Sequence, residues 1–236
     1  MIPKDDPRYL RFPSVTASDA EGFLAHGGDL TPDTLISAYQ QGIFPWFNEG
    51  RPILWWSPDP RLILKTHTMK CSRSLKKRIR KKDYRVTCNQ AFTKVIDTCA
   101  EPRSNQKTDG TWLSKEMRLA YKELHHKKYA HSIECWQDDE LVGGLYGVSI
   151  NGLFFGESMF STASDASKVA LYYLCHFLNK VNVAWIDCQV ESTHLLSLGA
   201  EHMTRENFIN EIEETLAKTS SIQWHRFAEL TESITI

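Results

Sequence analysis

Between Gly42 and Arg61 the chain carries four prolines (Pro45, Pro52, Pro58, Pro60) and three of its seven tryptophans (Trp46, Trp55, Trp56). Proline lacks the backbone N–H and fixes its own φ, so such a run forms neither a long helix nor a central strand. Large aromatics on a rigid, irregular segment either plug a core or present flat apolar faces to a ligand. This stretch is the first place to look for a site.

The 236 residues suffice for one large domain or two smaller ones, and 42% hydrophobic residues for a packed core. No apolar run approaches the ~18 to 20 residues that span a bilayer, and the opening Met-Ile-Pro-Lys-Asp-Asp-Pro-Arg lacks the basic and apolar parts of a signal peptide. A soluble, cytoplasmic protein is expected. The six cysteines form no CxxC pair and the nine histidines no ligand-like spacing, so neither a metal nor a disulfide framework is expected, and the thiols read as reduced and mostly buried.

Charge is distributed unevenly. Residues 70–85 hold nine cations against Asp83 alone, a balance of +8 that leaves the rest of the chain, whose total is −1, at −9. Arg73, Lys76, Lys77, Arg78, Arg80, Lys81 and Lys82 fall on a basic helix that Ser72 opens. A solvated helix face is the plain alternative, but the density favours phosphate contact, which gives affinity and salt sensitivity without base reading.

Thr31-Pro32 has the cap-plus-first-turn pattern of a helix that runs to Gln41 and stops at Gly42. Pro58-Asp59-Pro60 marks a boundary before an apolar strand at 62–64. After the basic helix come a strand at 84–88, a helix over 90–99, a polar stretch from Glu101 to Gly110, and a helix from Ser114 to Lys127 with Met117, Tyr121 and Leu124 on one face. The period then changes to two. Strands at 132–136, 141–150 and 153–160, with Asn151-Gly152 as a type I′ hairpin, make an antiparallel meander. Asp165 and Ser167 flank the start of a helix to Asn179, followed by a strand over 181–190, a short helix near 194–198 and a helix over 205–216. This order matches the core of GNAT-like acyltransferases: an α+β fold with a mixed, largely antiparallel sheet flanked by helices. The likeness is one of fold and does not by itself give a reaction.

In the strand Ala184-Trp185-Ile186-Asp187-Cys188-Gln189-Val190, alternation points Asp187 and Gln189 to one face. A carboxylate and an amide in an apolar strand need partners: they form either a structural hydrogen-bond network or an acid/amide pair that orients a nucleophile. Glu157 and Ser158 repeat the theme on a neighbouring strand, where Gly156 leaves room for a backbone or a ligand.

These segments together resemble the leucyl/phenylalanyl-tRNA protein transferases. The likeness rests on Gly27-Gly28-Asp29-Leu30, Ala38-Tyr39-Gln40, Gly42-Ile43-Phe44-Pro45-Trp46-Phe47, Ile53 to Arg61, Gly110-Thr111-Trp112, His131 to Glu134, Leu141 to Gly144, Tyr146-Gly147-Val148, Gly156 to Ser161, Ala166-Ser167-Lys168 and Ile186-Asp187-Cys188-Gln189, in order from about residue 23 to 200. The resemblance implies a small N-terminal domain (1–61) and a GNAT-like aminoacyl-transfer domain (62–236) that works without acetyl-CoA or any other cofactor. Its activity would be transfer of Leu, Phe or Met from an aminoacyl-tRNA to an N-terminal Arg or Lys of a protein, creating a degradation signal of the N-end rule. By the same analogy Trp46 and Trp112 would contact the terminal adenosine, with stacking worth ~1 to 3 kcal/mol. Leu145, Phe154, Leu171, Leu174, Leu178 and Ile186 would line the side-chain pocket, and Glu157 and Ser158 would bind substrate. Leu174 and Leu178 stand where the family is expected to carry aromatics. Asp187 and Gln189 would be catalytic, with Asp187 either orienting and polarising Gln189 or taking a proton through it or through a water.

Two other readings compete. An acetyl-CoA-dependent acetyltransferase needs a glycine-rich pyrophosphate loop before the helix that follows the meander, and Ser161 to Lys168 contains no glycine. A non-catalytic RNA-binding module would use the basic helix and exposed tryptophans alone.

Overall fold

The computed structural model of the chain describes residues 1–101, 113–218 and 221–234. Trp112, with the polar stretch before it, lies outside the described residues.

The first part forms β1 (Phe23–His26), α1 (Pro32–Gln40), β2 (Phe44–Pro45) and β3 (Leu54–Trp56). The Thr31 hydroxyl accepts the Thr34 N–H to open α1, and Gly42 leaves it at φ +73°, a conformation cheap only for glycine. β1, β3 and β2 make a three-stranded antiparallel sheet. The aromatic run is therefore partly strand, and β3 is central, contrary to the expectation from its prolines. The prolines still act as their chemistry requires: Pro45 sits in an edge strand, and β3 is held to three residues between Pro52 and Pro58.

The second part runs β4 (Arg61–Lys65), α2 (Arg73–Lys81), β5 (Arg85–Cys88), α3 (Phe92–Cys99), α4 (Lys115–His126), β6 (Ala130–Gln137), β7 (Glu140–Ile150), β8 (Leu153–Ser161), α5 (Ala166–Lys180), β9 (Trp185–Gln189), α6 (Thr193–Ser197), β10 (Glu201–Met203), α7 (Arg205–Ala217) and α8 (Phe227–Thr231). Its seven-stranded sheet has the order β10-β4-β9-β8-β7-β6-β5, antiparallel except between β8 and β9. The expected GNAT-like sequence of meander, helix and strand is present. Ser72 and Ser114 cap α2 and α4, and Asn151 takes φ +56° at the hairpin. One bound differs from expectation, and two further details stand out. β9 starts at Trp185, because Asn182 at φ +61° turns the chain before it; Asp165 makes no capping bond and instead pairs with Lys168; β10 and α8 have too little periodicity to be read in advance.

The large sheet divides the core. Phe154 and Phe155, adjacent on β8, go to opposite faces: Phe155 joins Tyr39, Phe92, Tyr121 and Phe208, while Phe154 joins Leu75, Ile79, Leu174 and Ile186. Each such side chain, fully buried, contributes roughly 1.5 to 3 kcal/mol, which fixes the register. β8 and β9 share one registered pair, Phe155 with Asp187. Gly156 makes the approach possible, since a Cβ there would lie 3.2 Å from the Asp187 carbonyl oxygen. Beyond this pair a cavity opens.

Candidate active site

The cavity has a volume of about 320 Å³ and draws its lining from β7, β8, α5, β9 and α6. Leu145, Phe154, Leu171, Leu174 and Ile186 form an apolar wall with Met159 and Leu195; Glu157, Ser158 and Tyr146 are also in the lining. This combination of an apolar wall and a few polar groups suits a small side chain attached to a reacting polar centre. Of the residues the sequence assigned to the side-chain pocket, Leu178 alone is not in the lining; it is fully buried in the core one turn beyond Leu174. A larger groove of about 640 Å³ between β5 and residues 221–228 contains no carboxylate.

Glu157 reaches the cavity by a break in the ladder. Tyr146 pairs with Ser158 and Gly147 with Gly156, so Glu157 is the extra residue of a β-bulge, the device that re-aims a side chain within a sheet. Its Oε1 accepts hydrogen bonds from the Tyr39 hydroxyl (2.7 Å) and Gln189 Nε2 (2.9 Å), and its Oε2 from the Tyr121 hydroxyl (2.9 Å). The two phenol oxygens are 2.6 Å apart. Burial raises the Glu157 pKa to about 7; the bonds from Tyr39, Tyr121 and Gln189 oppose that rise, and the charge of Asp187 adds to it. Near neutrality the group therefore exists as both acid and carboxylate, the condition a proton carrier needs. Burial also pushes the Tyr39, Tyr121 and Tyr146 phenols well above their usual range, so they remain donors. The Tyr146 hydroxyl, fully buried, has no hydrogen-bond partner among the described residues.

Asp187 and Gln189 do not lie side by side as strict alternation predicts. Leu62 pairs with Gln189 and Ile63 with Asp187, so Cys188 bulges out and Gln189 takes φ +64°. The Asp187 side chain turns to Arg61, which donates from Nε to Oδ1 (2.8 Å) and from the guanidinium to Oδ2 (2.7 Å) in a buried bidentate pair. Asp187 Oδ1 also accepts the Gln189 backbone N–H at 2.9 Å. The expectation that Asp187 polarises the Gln189 amide is corrected accordingly: it holds the Gln189 backbone, while the amide nitrogen is committed to Glu157. That commitment turns Gln189 Oε1 away from Glu157, and neither Asp187 nor Gln189 is itself in the cavity lining.

The basic helix packs Leu75 and Ile79 on the α5 face of the sheet. Arg73, Lys76, Lys77, Arg80, Lys81 and Lys82 are exposed, whereas Arg78 is partly withdrawn between Asp83 (3.5 Å) and Asp165 (3.6 Å). The tryptophans divide. Trp55 is buried and donates to the Gly27 carbonyl (2.9 Å), while Trp46 is 42% exposed beside Trp56 and does not line the cavity. Among the described residues no group of three or more His, Cys, Asp or Glu side chains is placed to hold a metal ion, and no helix is long and apolar enough to cross a membrane.

Sequence reasoning missed three contributors. Tyr39 and Arg61 stood among the residues of the resemblance without a role, and Tyr121 read as one more apolar position of α4. Only pairing across distant segments exposes their task.

Comparison with known proteins places this geometry among relatives. Residues 63–213 match the family model described as leucyl/phenylalanyl-tRNA protein transferase, and residues 28–59 match the model of that family's N-terminal domain. Leucyl/phenylalanyl-tRNA–protein transferases from Cellvibrio japonicus and Legionella pneumophila are each 51% identical, over 88% and 87% of this chain and 88% and 91% of their own length. The Nitrosomonas eutropha enzyme is 54% identical over 80% of both chains. A solved GCN5-related N-acetyltransferase from Kribbella flavida, at 10% identity and a TM-score of 0.34 over 73% of this chain and 61% of its own, is too distant to bear on function.

Proposed function

The chain belongs to the leucyl/phenylalanyl-tRNA protein transferase family and is an aminoacyltransferase that moves Leu or Phe from tRNA to proteins; on that premise we propose its substrates and chemistry in finer detail. The acceptor is the α-amino group of an N-terminal Arg or Lys, Met is a third donor residue, and the product is an N-terminal degradation signal of the N-end rule in the cytoplasm. Residues 1–61 and 62–236 are read as the two domains. The observation that carries this reading is the cavity itself, which sets a 320 Å³ apolar space beside Glu157.

An unbranched Cβ lets Leu, Phe or Met slide between Leu145, Phe154, Leu171, Leu174 and Ile186. A β-branched side chain meets the walls at a penalty of about 1 to 3 kcal/mol. The exposed face of α2 holds tRNA phosphates, and Trp46, with Trp112, meets the terminal adenosine. Converting an ester to an amide is downhill, so positioning supplies most of the rate, on the order of 7 to 11 kcal/mol. The acceptor amine donates to Gln189 Oε1 and attacks the ester carbonyl. The proton leaving the nitrogen passes to the Glu157 carboxylate and on to the departing ribose oxygen, so that one N–H and one C–O bond break as one C–N and one O–H bond form. Asp187, enclosed and saturated by Arg61 and the Gln189 N–H, acts by position.

The test incubates the protein with labelled Leu-, Phe-, Met- or Ile-tRNA and peptides that begin with Arg, Lys or Ala. Label is expected on the Arg and Lys peptides from the first three donors. Equal labelling of the Ala peptide, or efficient transfer of Ile, would overturn the specificity.

A further inference from the structure

Arg61 closes the proline run, and its side chain is 1% exposed. Besides its two bonds to Asp187 it donates to the Gly42 carbonyl at 3.2 Å, and its guanidinium carbon lies 4.7 Å and 4.6 Å from the ring centroids of Phe44 and Phe208. One cation thus ties the end of α1, β2 and α7 to Asp187 on β9. Removing two charges from water is expensive, and a well-packed apolar pair of similar volume is often as stable or more so. Stability alone does not account for this arrangement.

The downstream geometry does. Arg61 fixes the plane of the carboxylate whose Oδ1 accepts the Gln189 N–H, and that bond accompanies the left-handed backbone of Gln189 at φ +64°, an uncommon conformation for glutamine. The Gln189 amide then meets Glu157 at 2.9 Å. We propose that Arg61 is a positioning residue for aminoacyl transfer, which never touches substrate but, through Asp187, sets the turn that aims the Gln189 amide at Glu157 and its carbonyl at the incoming amine. The bidentate fork is essential, because a lysine supplies the charge without the plane.

This role rests on the transfer reading above, and the test separates the two. Arg61→Met combined with Asp187→Leu replaces the ion pair by apolar side chains and is expected to keep the melting temperature close to that of the wild type. It is expected to bind Phe-tRNA within about threefold of the wild type, yet to transfer Phe to an Arg peptide in single turnover about 100-fold more slowly, the scale of a misplaced reacting group. Arg61→Lys, the milder change, is expected to fold, to bind Phe-tRNA normally and to transfer at least about tenfold more slowly. Should the double variant fail to fold, Arg61→Lys decides. Wild-type transfer rates in either folded variant would overturn the role of Arg61. A wild-type chain that transfers nothing in the same assay would sink the transfer reading and with it this role.

Discussion

Two glutamates on neighbouring parts of one sheet, one buried and one half-buried, have opposite fates. Glu134 on β6 is fully buried and closed: its Oε1 accepts from the Ser132 hydroxyl (2.5 Å) and the Ala91 N–H (3.3 Å), and its Oε2 from the Thr87 hydroxyl (2.5 Å), which itself accepts the Trp136 indole N–H. Glu157 on β8 also has three donors, but it sits on a bulge, lines a cavity, and is bonded to the Gln189 amide. Three hydrogen-bond donors are common to both. What sets Glu157 apart is an opening on one side, and the proposed proton transfer depends on it.

The sharpest way to break this comparison is to neutralise each glutamate. Glu157→Gln is expected to lower single-turnover transfer by on the order of 10² to 10⁴-fold, the range of general acid–base catalysis, while Phe-tRNA affinity stays unchanged. Because the folded protein raises the Glu157 pKa above its unfolded value, folding favours the protonated form, and stability falls as pH rises from about 4.5 towards 7. Glu157→Gln removes that loss, so the variant should be no less stable than the wild type at pH 8 in a denaturant titration. Glu134→Gln should do the reverse, costing about 1 to 3 kcal/mol of stability with little change in turnover per folded molecule. If Glu134→Gln abolished transfer in a fully folded protein, the closed network would have a role not assigned here.

A smaller effect tests the apolar wall opposite Glu157. Leu174→Phe fills the cavity from α5 and is expected to lower kcat/KM for Phe relative to Leu by about 1 to 3 kcal/mol, measured as competing transfer from mixed Phe-tRNA and Leu-tRNA. An unchanged ratio would place the donor side chain elsewhere.

Smallest of all is the surface. Lys76→Ala with Arg80→Ala should weaken tRNA binding and reduce the slope of log affinity against log salt by about 1.4 to 1.8, the value for two lost phosphate contacts, without altering the transfer rate at saturation. Arg78 belongs in a different class, since Asp83 and Asp165 already hold it. Binding that is indifferent to both changes would return α2 to the role of a solvated face.

What the sequence disclosed follows the range of the interactions involved. Local rules sufficed for α1, α2 and α4, whose caps lie within three residues of the groups they satisfy, and for the β7–β8 hairpin, where Asn151-Gly152 fixes the register. The apolar wall was anticipated through the family resemblance, which named Leu145, Phe154, Leu171, Leu174 and Ile186, all of which line the cavity. On the polar side Glu157, Asp187 and Gln189 were singled out, but their partners were not. Strict alternation fails at the two places where the sheet is bulged, Glu157 and Cys188, and those bulges decide which groups meet. Arg61 is 126 residues from Asp187 and Tyr39 is 118 from Glu157, separations at which spacing carries no signal. The short β3 escaped because two flanking prolines outweighed a three-residue stretch in the same reading.

The central claim is that Glu157, open to the cavity and poised near neutrality, carries the proton of aminoacyl transfer. The direct measurement is the single-turnover rate of Phe transfer to an Arg peptide across pH 5.5 to 8.5 for the wild type and for Glu157→Gln. The wild-type rate should rise through two ionisations, that of Glu157 near 7, where burial sets this carboxyl, and that of the peptide α-amine at about 8, and the variant should keep the second, lose the first and lose most of the rate. A variant that keeps both the first ionisation and the wild-type rate would contradict the account.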